Sequence, residues 1–343
     1  MLKNSYKIMF ILTLFMSTMI SISSLSWLSV WMGLEINLLS FIPLMMSTNN
    51  LFSSEATLKY FLTQALASSI LLFSIILFSI FYEWLLMKKM IMNFMNLILI
   101  SSLMLKMGMA PFHFWLPPVM EGLNWINNMI LMTWQKIAPV ILVSFCISNL
   151  MLFVSIIFSM IFGSFGGLNQ SSLRKIMAYS SINHLGWMMS GMLNNENIWL
   201  IYFLFYCFLS LTVMLLFNMF KLMNLNQIFS FNNLNNFMKI FLFIPLLSLG
   251  GLPPFMGFFP KWMIINSMIN FNLYWILLIM INLTLITLFF YLRICYTSLL
   301  INYNENKWNY NIFYNKKYLI FLFILMFFSS FGLIFINMMN FLL

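Results

Sequence analysis

The chain has no aspartate, only six glutamates, two arginines and three cysteines among 343 residues, and charged side chains make up 6% of it. A soluble domain carries roughly a quarter charged residues, so this chain lacks the groups to cover a water-facing surface. Cys146, Cys207 and Cys295 show no CxxC or other metal spacing and fall in apolar runs, where they read as buried fillers. The two histidines, His113 and His184, lie far apart and do not supply the several axial ligands of a haem protein. No metal or cofactor site is expected in the chain.

Apolar residues make up 63% of the sequence. A bilayer core of about 30 Å takes about 20 apolar residues per helix. Apolar runs predict an all-α, polytopic fold of about eleven membrane helices, near 8–25, 27–47, 56–82, 91–116, 123–146, 150–168, 174–193, 197–221, 238–270, 273–298 and 318–341. The longest connections are the Asn-rich stretch around 223–237 and the polar stretch 301–317. The start, Lys3 and Lys7 before an apolar run, has the outline of a signal peptide, but the spans that follow make it a first membrane helix. The first arginine is Arg174, so no Arg-rich import peptide is visible.

The net charge of +10 raises the question of nucleic acid. Its distribution answers it. Lys3, Lys7, Lys59, Arg174, Lys175, Lys221, Lys239, Arg293, Lys307, Lys316 and Lys317 fall on one side in this topology, and Lys88 and Lys89 on the other. That is the positive-inside asymmetry of a membrane protein, with no nucleic-acid partner implied. It puts the N-terminus inside and, with eleven helices, the C-terminus outside.

Two short strings repeat. Gly108-Met109-Ala110-Pro111-Phe112 and Gly251-Leu252-Pro253-Pro254-Phe255 lie in the fourth and ninth spans. Five spans apart, the second copy runs inverted. Gly108, Pro111, Gly251, Pro253 and Pro254 are therefore expected to mark helix breaks in two inverted halves, the layout of transporters whose site sits at the interruptions. The division falls as 1–148 for the first five-helix repeat, 149–300 for the second, and 301–343 for a polar loop and last helix, all in one membrane domain.

Ionisable groups at mid-membrane cost roughly 2.5–3.5 kcal/mol on insertion scales and mark function by default. Four stand out: Glu35 in WMGLEINLLSFIP, Lys106 in LMLKMGMAPFHFW, Lys136 in LMTWQKIAPVIL and Lys261 in PPFMGFFPKW. Glu35 is the only central carboxylate against three central lysines, so static pairing within the chain does not satisfy them all. Desolvation favours the neutral form of a buried amine and a nearby carboxylate the charged form. An amine poised between the two releases and regains a proton when its neighbour moves. Prolines add to the pattern: Pro43, Pro111 and Pro139 remove helical donors and are expected to free the carbonyls of Leu39, Met107 and Gln135 beside these groups. His184 and His113 are further candidate relay residues. Tyr60, Gln64, Ser180, Ser181 and Asn183 are placed to carry water between them.

The strings WMGLEINLLSFIP, EATLKYFLTQA, LKMGMAPFHFW, LMTWQKIAP, GGLNQSSLRKIMAYSSINHLGWM and SLGGLPPFMGFFPKW resemble, in order and over nearly the whole chain, the subunit 2 family of mitochondrial NADH:ubiquinone oxidoreductase, respiratory complex I. The loops and the last fifty residues resemble it less distinctively. The resemblance implies an antiporter-like membrane subunit with two inverted five-helix repeats, each with a broken helix, plus one C-terminal helix. It implies a mitochondrial inner-membrane location, with the N-terminus in the matrix and the C-terminus in the intermembrane space. It also implies that Glu35 pairs with Lys106, that Lys136 bridges, and that Lys261 exchanges protons with the intermembrane-space side. NADH, FMN, iron–sulfur clusters and ubiquinone belong, by the same resemblance, to other subunits. Expected partners are other membrane-arm subunits, accessory subunits and membrane lipids. The competing readings are a self-standing cation/proton antiporter, a haem or quinone redox protein and a purely structural membrane subunit. The cost of burying three lysines speaks against the last.

Overall fold

The computed structural model describes residues 5–47, 50–82, 89–194, 197–229, 236–299 and 316–342. Lys3, Glu83, Lys88, Glu196, Glu305 and Lys307, most of the polar connection after residue 300 and residues 230–235 of the Asn-rich stretch lie outside them. Among the described residues all regular structure is helical, apart from one isolated bridge between Ser172 and Asn224.

The chain forms two compact units, Met1–Ser159 and Met160–Leu343. In the first are α1 (Ser5–Ser23), α2 (Trp27–Met45), α3 (Leu51–Tyr82), α4 (Lys89–Met107), α5 (Leu116–Gly122), α6 (Trp125–Met132) and α7 (Trp134–Phe145). The unit boundary falls inside α8 (Asn149–Leu168). The second unit continues with α9 (Leu173–Asn194), α10 (Ile198–Met219), α11 (Leu225–Phe229), α12 (Asn236–Gly250), α13 (Phe258–Asn270), α14 (Tyr274–Leu299) and α15 (Lys316–Leu342).

Among the described residues seven helical stretches are long and apolar enough to cross a membrane, including Leu51–Ile80 and Ile198–Met219. Their outward faces are apolar: Leu62, Leu66 and Phe73 of α3 are exposed. Where hydroxyls are buried they bond to their own helix, as Ser17 does to the Leu14 carbonyl (2.9 Å) and Ser21 to that of Thr18 (2.8 Å). Such internal bonds let serine and threonine sit inside a membrane bundle, where small residues bring backbones together. Gly33 of α2 shows how close: a Cβ there would stand 2.9 Å from the backbone nitrogen of Ser21 in α1. The chain is an all-helical, polytopic membrane protein.

In the first unit α2 packs on α1 and α3, α3 on α4 and α5, and α7 on α4 and α1. In the second, α13 packs on α9, α10, α12 and α14, while α12 also meets α10, α14 and α15. Three runs depart from the apolar pattern. The ninth is two helices, α12 and α13, parted after Gly250. The fourth run stops as a helix at Met107, well short of residue 116, and the fifth is two helices, α6 and α7, interrupted at Thr133. The hydroxyl of Thr133 bonds back to the Met129 carbonyl at 2.6 Å, an i−4 bond of the kind that bends helices.

Candidate functional site

The first break is made by a glycine. Gly108 has φ +71°, a left-handed conformation that only glycine adopts at little cost. The Met109 N–H donates to Met104 O (3.0 Å) and the Gly108 N–H to Leu105 O (3.2 Å), the paired bonds of a Schellman cap. Pro111 lies beyond the cap, so it frees no helical carbonyl: the Met107 carbonyl loses its helical donor because the helix has already ended. Side chains take up the last carbonyls of α4. Trp115 Nε1 donates to Leu105 O (3.0 Å) and Gln64 Nε2 to Lys106 O (3.3 Å). Lys106 thus stands in the last turn of α4, where the helix dipole favours a cation.

Lys136 sits in the first turn of α7, three residues after the Thr133 interruption. Pro139 lies inside α7 and leaves Gln135 O without its i+4 donor, as the sequence leads one to expect. The Gln135 side chain donates to Asn37 Oδ1 of α2 (3.0 Å). Lys106 and Lys136 are 7% and 2% exposed, and both line one small cavity with Asn37, Tyr60, Gln64 and Gln135. It offers about 20 Å³ to the centre of a water molecule, and a water needs roughly 10–15 Å³ of such space. Two amines, three amides and a phenol around a water-sized space are the parts of a short proton relay.

Glu35 lies on α2 beside this cavity without lining it. It is half-buried and its charge acts on Lys106, but the two form no direct ion pair. Lys59 pairs with Glu55 at 2.6 Å, on the exposed side of α3. His113 is buried in the connection after Gly108, its ring 4.5 Å from that of Phe114.

The second unit repeats the break. Gly251 has φ +84°. Its N–H donates to Ser248 O (3.0 Å) and that of Leu252 reaches Leu247 O (3.5 Å). Pro253 and Pro254 lie in the connection that follows, not in a helix. Here the carbonyls at the end of α12 are taken by a lysine: Lys261 Nζ of α13 donates to Gly250 O (2.8 Å) and lies 3.4 Å from Leu249 O. The same Nζ stands 6.0 Å from the centre of the Trp187 ring of α9. One turn earlier on α9, His184 Nδ1 and the Tyr202 hydroxyl of α10 share a hydrogen bond of 2.8 Å, and the Tyr206 ring lies 5.2 Å away.

The structure therefore brings Lys106 and Lys136 to one cavity with Tyr60 and Gln64. It gives Lys261 a place of its own at the second break. Ser180, Ser181 and Asn183 are buried along α9. Asn37, Gln135, Trp115, Trp187 and Tyr202 escape sequence reasoning; the amides sit next to Glu35 and Lys136 in the strings above, but their cross-helix bonds leave no local signal.

The family described as NADH:quinone oxidoreductase/Mrp antiporter, TM matches residues 24–287, and NADH dehydrogenase subunit 2 C-terminus matches residues 288–340. NADH-ubiquinone oxidoreductase chain 2 of Anopheles gambiae is 52% identical over 330 residues, covering 96% of both chains. That of Aedes aegypti is 53% identical over 339 residues, covering 98% of both. Among solved structures, a chain of respiratory complex I from Thermus thermophilus with bound aureothin superposes with a TM-score of 0.78 at 21% identity, over 87% of this chain and 71% of that one. A chain of the Mrp complex from Dietzia sp. gives 0.77 at 16%, over 85% and 60%. At those identities the structures speak for a shared fold alone. The identity to the two insect proteins, sustained almost end to end, shows that the chain belongs to the NADH-ubiquinone oxidoreductase chain 2 family.

Proposed function

We propose that Glu35, Lys106, Lys136 and Lys261 carry protons through the membrane arm of the respiratory complex to which this chain belongs. The chain is a proton-translocating membrane-arm subunit of complex I, an NADH:ubiquinone reductase, and its partners are other subunits of that complex. NADH, FMN, the iron–sulfur clusters and ubiquinone work elsewhere in the assembly, and the energy of ubiquinone reduction reaches this chain as a change in the Glu35–Lys106 interaction. Lys106 then passes a proton through the cavity water to Lys136, and Lys261 exchanges it on the intermembrane-space side. His184 and His113 serve as relay groups beside this route.

The observation that carries the reading is the shared cavity of Lys106 and Lys136. Two ammonium groups facing one water-sized space repel each other, so a charge arriving on one favours release from the other. Glu35 sits where a small movement makes or breaks its pairing with Lys106.

The fold supports a division into two inverted five-helix repeats, 1–148 and 149–300, with 301–343 as a polar loop and last helix. Its basis is the recurrence of the same glycine cap at Gly108 and Gly251. The location is the mitochondrial inner membrane, N-terminus in the matrix and C-terminus in the intermembrane space. Accessory subunits and lipids cover the remaining apolar faces.

Lys136→Met tests the route. The substitution replaces a buried cation by an apolar chain of similar length, so the complex assembles, while protons pumped per NADH oxidised fall several-fold in proteoliposomes. Full pumping by assembled variant would remove Lys136 from the route. The shared fold with an Mrp complex chain keeps a self-standing antiporter as the alternative; proton-coupled cation transport by the isolated chain would favour it.

A further inference from the structure

Lys261 is a buried cation, and among the described residues no carboxylate lies beside it. Its ammonium contacts are the Gly250 and Leu249 carbonyls and the face of Trp187. His184 on α9, Tyr202, Tyr206 and Cys207 on α10, and Tyr291 and Cys295 on α14 are titratable groups on helices packed against α13, and none of them bonds to it.

We propose that the broken end of α12 and the Trp187 ring form a cation cradle, built for the Lys261 ammonium, in which Trp187 and Gly251 are the positioning residues. This deepens the reading of Lys261 as a proton carrier and rests on it. Three features converge on the ammonium. The end of a helix carries partial negative charge on its last carbonyls, and the glycine cap at Gly251 leaves two of them turned to the lysine. An indole face attracts a cation within about 6 Å of its centre. Gly251 itself has no side chain to block the approach: a Cβ there would stand 2.8 Å from both Nζ and Cδ of Lys261. Any side chain at 251 would push the ammonium off the carbonyls as well as strain the backbone. The cradle thus holds a charged lysine by dipoles and a π face. It has no opposite charge from which the lysine must separate before the proton moves.

Trp187 gives the cleaner test, since Gly251 also sets the backbone. In the assembled complex, Trp187→Phe keeps a π face and Trp187→Leu keeps only apolar bulk. Protons pumped per NADH oxidised should stay within about twofold of the parent for Trp187→Phe and drop roughly five- to tenfold for Trp187→Leu, in line with a cation–π contact of about 1–1.4 kcal/mol. Unchanged pumping by Trp187→Leu, or equal loss in both variants, overturns the cradle. Lys261→Met, measured beside them, separates the two levels. If it abolishes pumping while Trp187→Leu pumps like the parent, the cradle falls and the role of Lys261 stands. If it pumps like the parent, both fall.

Discussion

A carbonyl left bare inside a membrane costs more than one left bare in water, because no solvent replaces the lost bond. Each break in this chain ends a helix in the interior, and each is answered by particular side chains. At the first, Trp115 and Gln64 cover the carbonyls of Leu105 and Lys106; at the second, Lys261 covers those of Gly250 and Leu249. Trp115→Phe removes one donor and keeps the ring. We expect a loss of about 1–3 kcal/mol, the cost of an unsatisfied buried acceptor, read as a lower unfolding temperature of the membrane arm with the complex still assembled. No change would mean that another donor reaches Leu105. At this scale the sequence was half legible. Four ionisable residues in apolar runs announced themselves by composition alone. That Lys106 and Lys136 share a cavity did not, because their meeting depends on α4 packing against α7, across thirty positions of chain.

Elements obeyed the apolar pattern wherever a helix runs unbroken. The glycines of the two repeated strings proved to be the breaks, through their left-handed backbone, while the prolines of the same strings follow outside the helix. The loss of a helical donor read from spacing therefore fits Pro43 and Pro139, which lie inside α2 and α7, but not Pro111. The interruption at Thr133 was not legible: a single threonine bonding to its own helix looks no different in sequence from the many that do so without effect. Helix α9 is the least apolar of the long helices because its serines, asparagine and histidine face the protein interior. Packing at the second break adds a constraint that no pattern shows. A Cβ on Gly257 would lie 1.8 Å from the Ser248 carbonyl oxygen. That contact is with backbone and has no flexible end to yield. Gly257→Ala should force α13 away from α12 and lower the amount of assembled complex severalfold on a native gel; normal assembly would show that the connection 251–257 absorbs the methyl group.

For the molecule as a whole, a charge-poor chain with buried amines fits one part of a larger machine. Outward faces rich in leucine and phenylalanine suit lipid and neighbouring membrane subunits, and the few charges left inside are the ones the proposed route draws on. On the proposed reading, the chain supplies a set of poised proton sites whose affinities change when the Glu35–Lys106 interaction changes.

Proton pumping by the intact complex in proteoliposomes, normalised to assembled enzyme, tests that claim most directly when Glu35→Gln and Lys106→Met are compared with the parent. The account predicts intact assembly with protons per NADH reduced several-fold in both variants. Parental pumping in both would contradict it and leave this chain a passive scaffold.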